Sequence, residues 1–150
     1  EFFQYKIYEG GSHNREINNI GNTDDRLLFH LKNNGSSTQI VNILDLIYVL
    51  DDDRPLLIKI YKNTESNISG VSWNNITNSI VQHSTTGYQN LGKLVYQTSV
   101  NTENEFYNKS VSSKALTLQQ NEIFTFIAKR ILNSAGNLNV YFSVNWNESI

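Results

Sequence analysis

The segment "NLNVYFSVNWNESI", residues 137–150, decides the fold class of this chain. Apolar and polar residues alternate along it, which is the pattern of a β-strand that buries one of its faces. The apolar set is Val140, Phe142, Val144 and Trp146, and the opposite set is Asn139, Tyr141, Ser143 and Asn145. We expect the first set to fill a core and the second set to face solvent or a neighbouring subunit.

Similar short segments recur through the rest of the chain, bounded by Gly, Asn or Ser. Alternation with a period of two, interrupted by turn residues, predicts strands. The segments that we expect to contain strands are 2–8, 26–37, 55–63, 68–73, 76–84, 91–100 and 122–132, the second of them leaving through an Asn-Asn-Gly turn. The polar segments 9–25 and 101–115 are predicted to be loops, and residues 133–137 to be a turn into the closing strand.

The segment "TQIVNILDLIYVL", residues 38–50, allows two interpretations. Ile40, Ile43, Ile47 and Leu50 would form one stripe of a helix. The segment is also rich in β-branched residues, and the turn-forming "DDDRP" follows it. Because the neighbouring segments are strand-like, we favour a strand that is apolar on both faces, with a helix as the alternative.

Short strands without intervening helices indicate an all-β fold, and here a single β-sandwich or jelly roll of about eight antiparallel strands. A length of 150 residues suits one domain over residues 1–150. The chain has no methionine, even at position 1. We therefore expect a processed protein, a fragment of a longer one or a start introduced by cloning, and the residues do not separate these three.

The composition argues against several classes of protein. Twelve Lys and Arg against 14 Asp and Glu leave a net charge of −2, without the basic surface that nucleic-acid binding needs. No apolar run reaches the roughly 18 residues of a membrane-spanning helix. Since cysteine is absent, disulfides, thiolate metal sites and cysteine nucleophiles are excluded. We therefore predict neither a nucleic-acid partner nor a membrane partner.

Residues suited to catalysis are present but scattered. His13, His30 and His83 lie far apart and form no metal-binding motif, and we expect His30 to be a surface or half-buried strand residue. Asp51–Asp53 could hold a hard cation, but it lacks the spacing of a calcium loop, and a solvated turn is favoured. With neither a G-x-S-x-G elbow nor a P-loop, we predict a non-enzymatic protein without catalytic, cofactor-binding or metal-binding residues.

Aromatic residues offer contact surfaces instead. Exposed Tyr and Trp side chains can stack on sugar rings or anchor a protein interface. Trp73 and Trp146 suit a core position as well as a contact position. Tyrosines in polar segments are the better candidates, together with the outward face of the closing strand. The candidate contact residues are Tyr88, Tyr96, Tyr107, Asn139, Tyr141 and Asn145.

Residues 54–100 resemble a segment that recurs in virion structural proteins of tailed, often marine, bacteriophages. The matching features are an apolar strand ending in a Lys-Asn turn (Ile58, Ile60, Lys62, Asn63), a glycine and a tryptophan (Gly70, Trp73), a serine before an apolar pair (Ser79, Ile80, Val81) and a glycine-led strand (Gly92). Residues 121–148 resemble the closing hairpin of the same proteins, with a basic strand end (Lys129, Arg130) and a Trp-x-Glu ending (Trp146, Glu148). The similarity covers roughly residues 38–150, and "QHSTTGY" at 82–88 replaces a turn of the D-x-S/T type.

The resemblance implies a β-sandwich or jelly-roll head on the virion surface, which would be a capsid decoration or cement protein, a head fibre or a tail component. It also implies a homotrimer whose partners are the major capsid or tail proteins of the same virion. It brings no catalytic residues. The alternative is a carbohydrate-binding or receptor-binding module of a tail fibre or spike, with aromatic residues as platforms for a host surface glycan.

Overall fold

A computed structural model describes residues 7–8, 12–20, 25–50, 56–89, 92–100, 107–110, 116–131 and 138–149. Most of these residues form β-strands. The strands are β1 (Ile7–Tyr8), β2 (Ser12–Ile20), β3 (Arg26–Asn33), β4 (Ile40–Leu50), β5 (Leu56–Asn63), β6 (Ile68–Ser69), β7 (Asn74–Asn75), β8 (Val81–Ser84), β9 (Tyr88–Gln89), β10 (Lys93–Val100), β11 (Tyr107–Ser110), β12 (Thr117–Leu118), β13 (Ile123–Arg130) and β14 (Leu138–Ser149). A 3₁₀ helix, Glu65–Asn67, stands between β5 and β6.

Two six-stranded sheets contain most of these strands. The first sheet has the order β1, β14, β4, β11, with β2 also paired to β14 and β12 also paired to β4. The second sheet has the order β10, β5, β13, β3, β8, β7, and β6 pairs with β9 in a separate ribbon. Every pairing among these described strands is antiparallel. The prediction of an all-β fold is confirmed.

The core lies between the two six-stranded sheets. The Phe142 ring of the first sheet stands 5.7 Å from the rings of both Phe29 and Phe126 of the second sheet, between centroids. Side chains from two inner faces that pack against each other define a β-sandwich. The four side chains of β14 that the alternation assigned to the core are each at most 1% exposed, and they are Val140, Phe142, Val144 and Trp146.

Strand β4 confirms the strand interpretation of residues 38–50 and contains a β-bulge. Asp45 pairs with Asn145 and Ile43 pairs with Trp146, so Leu44 is an extra residue without a partner in β14. Such a β-bulge shifts the alternation of side chains by one residue. The buried positions therefore step from Ile43 to Leu46, three residues apart and not two.

Two predicted loops contain strands. Strand β2 lies within residues 9–25 and pairs with β14, and β11 lies within residues 101–115 and pairs with β4. Main-chain hydrogen bonds hold a strand in a ladder whatever its side chains are. A polar strand beside β14 or β4 therefore forms without an alternating apolar pattern. Because strands were predicted from that pattern, β2 and β11 were predicted to be loops.

Strands in the middle of the chain are shorter than predicted. The strand predicted at residues 68–73 is the two-residue β6 in the structure. The strand predicted at residues 76–84 is the four-residue β8. The predicted turn at residues 133–137 lies outside the described residues. Seven of the described strands have eight residues or more, and these are β2, β3, β4, β5, β10, β13 and β14.

Asn33 closes the predicted Asn-Asn-Gly turn after β3. Its side-chain amide donates hydrogen bonds to the carbonyl oxygens of Gln39 and Leu118, at 2.9 and 3.0 Å, and its side-chain oxygen accepts one from the Gly35 amide at 2.9 Å. Asparagine is favoured in turns because its side chain satisfies nearby backbone groups in this way. The same side chain also links the turn to β12 of the first sheet.

Candidate functional site

The outward face of β14 carries three of the six predicted contact residues. Tyr141 is 42% exposed, which agrees with the prediction, and Asn139 and Asn145 are half-buried. Because residues two apart in a strand share a face, the closing strand presents these three on the side opposite the core. Leu44, at the bulge of the adjacent strand, is another exposed large side chain at 40%.

Ser143 lies between the core residues Phe142 and Val144 and so on the outward face of β14, as predicted, but it is only 8% exposed and offers little surface to solvent or a neighbour. Ser143 lies in the middle of the first sheet, in register with Asn14 of β2 on one side and Ile47 of β4 on the other. A short side chain between two strands is shielded by them and by larger neighbours along its own strand. The outward face of β14 is therefore interrupted at its centre.

The three other predicted contact tyrosines lie on different strands. Tyr96, in β10, pairs with the core residue Ile60, packs partly against the core and is half-buried, so its contact role stays a prediction. Burial raises the pKa of Tyr96. Tyr88 pairs with Ser69 in the small ribbon, and Tyr107 is in register with Tyr48. The side chains of Tyr88 and Tyr107 lie outside the described residues, and so their contact role stays a prediction.

A cluster of polar side chains lies on the second sheet, on the face opposite the core. The Thr125 hydroxyl hydrogen-bonds to Nδ1 of His30 at 2.8 Å and accepts a hydrogen bond from the Asn63 amide at 2.8 Å. Strands β3, β13 and β5 are neighbours, and the register places Thr125 opposite His30, so the topology brings these residues together. All three are at most 1% exposed.

His30 differs from its prediction as a surface or half-buried residue, because it is fully buried. Burial lowers the pKa of His30 to about 4, since a charged imidazolium would lose its hydration. The ring is therefore neutral at pH 7. Its Nε2 atom is buried and has no hydrogen-bond partner among the described residues.

Residues 64–73 cover this face of the second sheet. Lys32, which is 7% exposed, forms an ion pair with Glu65 of the 3₁₀ helix, and its ammonium lies 5.5 Å from the centre of the Trp73 ring. The Trp73 and His30 rings are 6.3 Å apart between centroids. Two oppositely charged groups and two rings therefore hold the covering segment on the sheet.

A half-open cavity of about 230 Å³ lies between this covering segment and Ile123 of β13. Its lining consists of Glu65, Ile68, Gly70, Val71, Trp73 and Ile123. Gly70 has a φ of +69°, a left-handed conformation that glycine adopts without strain, and it turns the chain between Ile68 and Trp73. The lining combines one carboxylate, one half-buried indole and aliphatic side chains.

Sequence reasoning missed most of this region as a site. It identified Asn63, Gly70 and Trp73 by their spacing but assigned no role to Lys32 or Glu65, which belong to different strands and turns. A pairing between residues 33 positions apart leaves no local signal. The one usable indication was the isolated tryptophan in a polar segment after a glycine.

Glu148, the last residue of the Trp-x-Glu ending, is a second buried polar centre at 4% exposure. Its carboxylate accepts hydrogen bonds from the Ser79 hydroxyl, the Ile80 amide and the Trp146 indole, at 2.5, 2.9 and 2.8 Å. These three neutral donors stabilise the carboxylate. This centre therefore holds residues 79–80 against β14.

The described residues contain neither a candidate metal site nor a candidate membrane-spanning helix. Within the part of the chain that the structure describes, no three His, Cys, Asp or Glu side chains come together as a metal site would require. His13 and Asp51–Asp53 fall outside the described side chains, so the predictions for them stay open. Among the described residues, no helix has the length and apolar character to cross a membrane.

Comparison with known proteins identifies no relative of this chain. No protein-family model matches it, and neither a curated protein nor a solved structure shows a significant match.

Proposed function

We propose that this protein is a non-catalytic structural protein of a virion surface, a capsid decoration or cement protein or another phage surface component. It acts by associating with copies of itself, as a trimer, and by attaching to the shell. The observation that carries this proposal is the outward face of the first sheet. There Tyr141 and Leu44 remain 42% and 40% exposed on two neighbouring long strands.

Large exposed side chains on a rigid sheet are suited to a protein interface. Tyrosine is enriched at the centres of interfaces because it buries much apolar area and keeps one polar group for a hydrogen bond. Around Tyr141, Asn139 and Asn145 are half-buried amides that supply polar contacts at the rim. The outward face thus combines an aromatic centre with hydrogen-bonding neighbours.

The residues behind the phage resemblance also act structurally in this chain. Ser79, Ile80 and Trp146 all bind the Glu148 carboxylate. At Gly92, an added Cβ would come within 2.4 Å of the Asn63 side-chain oxygen and the Lys62 carbonyl oxygen, so the glycine allows β10 to start close to the end of β5. These residues hold connecting segments against the two sheets, which supports a role as a stable structural subunit.

Native mass spectrometry and light scattering test the proposal. We expect a trimer for the unmodified chain and a monomer for a variant with Tyr141→Ser and Leu44→Ser. Leu94→Ser is the matched control, because Leu94 is 45% exposed on the second sheet and its replacement should leave the trimer intact. A stable monomer of the unmodified chain at high micromolar concentration contradicts the proposed self-association.

Attachment to the shell needs its own experiment. Antibodies against this chain should label intact particles of the phage that encodes it, as seen by electron microscopy. Label on the head supports a decoration or cement role, and label on the tail supports the other surface component. Intact particles without label would overturn the placement on a virion.

A further inference from the structure

We propose that the cavity between the 3₁₀ helix and Trp73 is a binding site for one neutral saccharide ring. This inference goes beyond the proposed structural role, since it concerns a small-molecule site on the second sheet and not the contact face on the first. The lining residues, their charges and the cavity's size determine the class of ligand.

The Trp73 indole forms one wall of the cavity. Trp73 is half-buried, and it is held from the sheet by the His30 ring and by the Lys32 ammonium, which lies 5.5 Å from its centre. An aromatic face carries partial negative charge, and the C–H bonds on one face of a sugar ring carry partial positive charge, so the two attract each other. A fixed indole therefore offers a platform for a pyranose ring.

The Glu65 carboxylate supplies the polar wall. Its side chain is 55% exposed, while the Lys32 side chain with which it pairs is 9% exposed. A carboxylate has about four acceptor positions, and the pairing with Lys32 leaves some of them open to the cavity side. Sugar hydroxyls donate to carboxylates in charge-assisted hydrogen bonds, which are stronger than those between neutral groups.

The charge of the cavity favours a neutral ligand. Lys32 pairs with Glu65, so these two side chains together give the cavity no net charge that would attract a cation or an anion. A neutral polyhydroxylated ring needs no such charge, because its hydroxyl groups bind through hydrogen bonds.

The volume of the cavity sets the length of the ligand. Pockets for drug-sized ligands measure about 300–1,000 Å³, and this cavity measures about 230 Å³. One ring therefore fills it, and further rings of a glycan would continue into solvent. Ile123 of the second sheet lies at the base of the cavity but is only 1% exposed, so a ligand would contact chiefly the other lining residues.

Fluorine NMR tests the site with the intact chain. The sequence contains two tryptophans, so protein labelled with 5-fluorotryptophan gives one resonance for Trp73 and one for Trp146. The probes are the methyl glycosides of glucose, galactose, mannose and N-acetylglucosamine. We expect at least one of them to shift the Trp73 resonance saturably, while the Trp146 resonance, whose side chain is 1% exposed, stays in place.

Variants identify the groups that bind. Trp73→Ala should abolish saturable binding as measured by calorimetry, and Glu65→Gln should weaken it about tenfold by removing the charged acceptor. Tyr141→Ser is the matched control, because it removes an exposed aromatic side chain from the other sheet and should leave affinity unchanged. Thermal melting of each variant establishes that it is folded.

Several results would overturn the inference. They are the absence of any saturable shift of Trp73 with all four glycosides, equal shifts of both tryptophan resonances, and binding of betaine or a sugar phosphate in place of the neutral glycosides. Trp73→Ala should also leave the mass of the assembly unchanged. The saccharide site and the proposed self-association can therefore fail independently.

Discussion

The backbone amide of Ile80 donates a 2.9 Å hydrogen bond to the carboxylate of Glu148, 68 positions further along the chain. The contact joins the segment before β8 of the second sheet to the end of β14 in the first. A buried carboxylate thus ties one sheet of the sandwich to the other at this end of the core.

Replacing Glu148 with Gln should destabilise the protein although the side chain keeps its size. The new amide nitrogen would replace either Oε1, which accepts from Ile80, or Oε2, which accepts from both Ser79 and Trp146, so at least one donor would lose its acceptor. A buried donor without a partner costs about 1–3 kcal/mol. Urea denaturation should show a loss of that size in the free energy of unfolding. Glu122→Gln, at a half-buried position, is the control and should cost less than about 0.5 kcal/mol.

Stability should fall as the pH is lowered from 6.5 to 4, because of His30. The unfolded imidazole takes up a proton near its ordinary pKa of 6.5, whereas the folded, buried one does so only near 4. The free energy of unfolding therefore has its full value above pH 6.5. It falls by about 3 kcal/mol as the pH is lowered to about 4, because only the unfolded chain binds the proton over this range. Burial lowers the pKa of His83 as well, which adds a loss in the same direction.

The variant His30→Gln isolates this effect. It keeps a polar group beside Thr125 but cannot titrate, so its stability should depend less on pH than that of the unmodified chain. Chemical denaturation of both proteins at pH 7 and pH 4 measures the difference. An identical pH dependence for the two would show that His30 does not titrate with the lowered pKa.

Thr125→Val should weaken the polar cluster on the second sheet. Valine has the shape of threonine but no hydroxyl, so the His30 imidazole and the Asn63 amide both lose the hydrogen bonds that Thr125 makes at 2.8 Å. We expect a loss of about 2–4 kcal/mol in the free energy of unfolding. Thr38→Val, in an exposed turn, is the control. Equal stability of the two variants would contradict the role of Thr125.

Truncation of two adjacent residues of β14 should lower the free energy of unfolding by very different amounts. Phe142→Ala removes a ring that contacts Phe29 and Phe126, and it should cost about 3–5 kcal/mol. Tyr141→Ala acts on a side chain that is 42% exposed, and in the isolated subunit it should cost less than about 1 kcal/mol. Thermal unfolding at a concentration where the chain is monomeric measures both. A similar cost for the two would mean that β14 is not oriented as described.

Much of the sandwich follows from local patterns. The alternation from Val140 to Trp146 placed those side chains in the core correctly, because a strand that buries one face needs that period whatever its neighbours are. The Asn-Asn-Gly turn after β3 was likewise predicted, since Asn33 satisfies backbone groups within and just beyond the turn. Each of these features leaves a pattern within one short segment of the sequence.

Other features depend on which strands become neighbours. Strand β2 forms on the ladder that β14 offers, Ser143 is buried because strands flank it on both sides, and Leu44 is exposed because the pairing skips it. No period within a segment records these pairings. Each one arises from main-chain hydrogen bonds between distant segments.

The candidate cavity shows the same division. From the sequence, Trp73 suited a core position and a contact position equally well. No pattern in the sequence assigned Glu65 or Lys32 to a site. Folding places the Lys32 ammonium against both the Glu65 carboxylate and the Trp73 ring, over a floor formed by Ile123. The alternation of apolar residues was enough for the closing strand "NLNVYFSVNWNESI" to define a core, because burial of one face is a property of a single strand. The site required three dimensions, because its walls come from segments that meet only when the sheets have assembled.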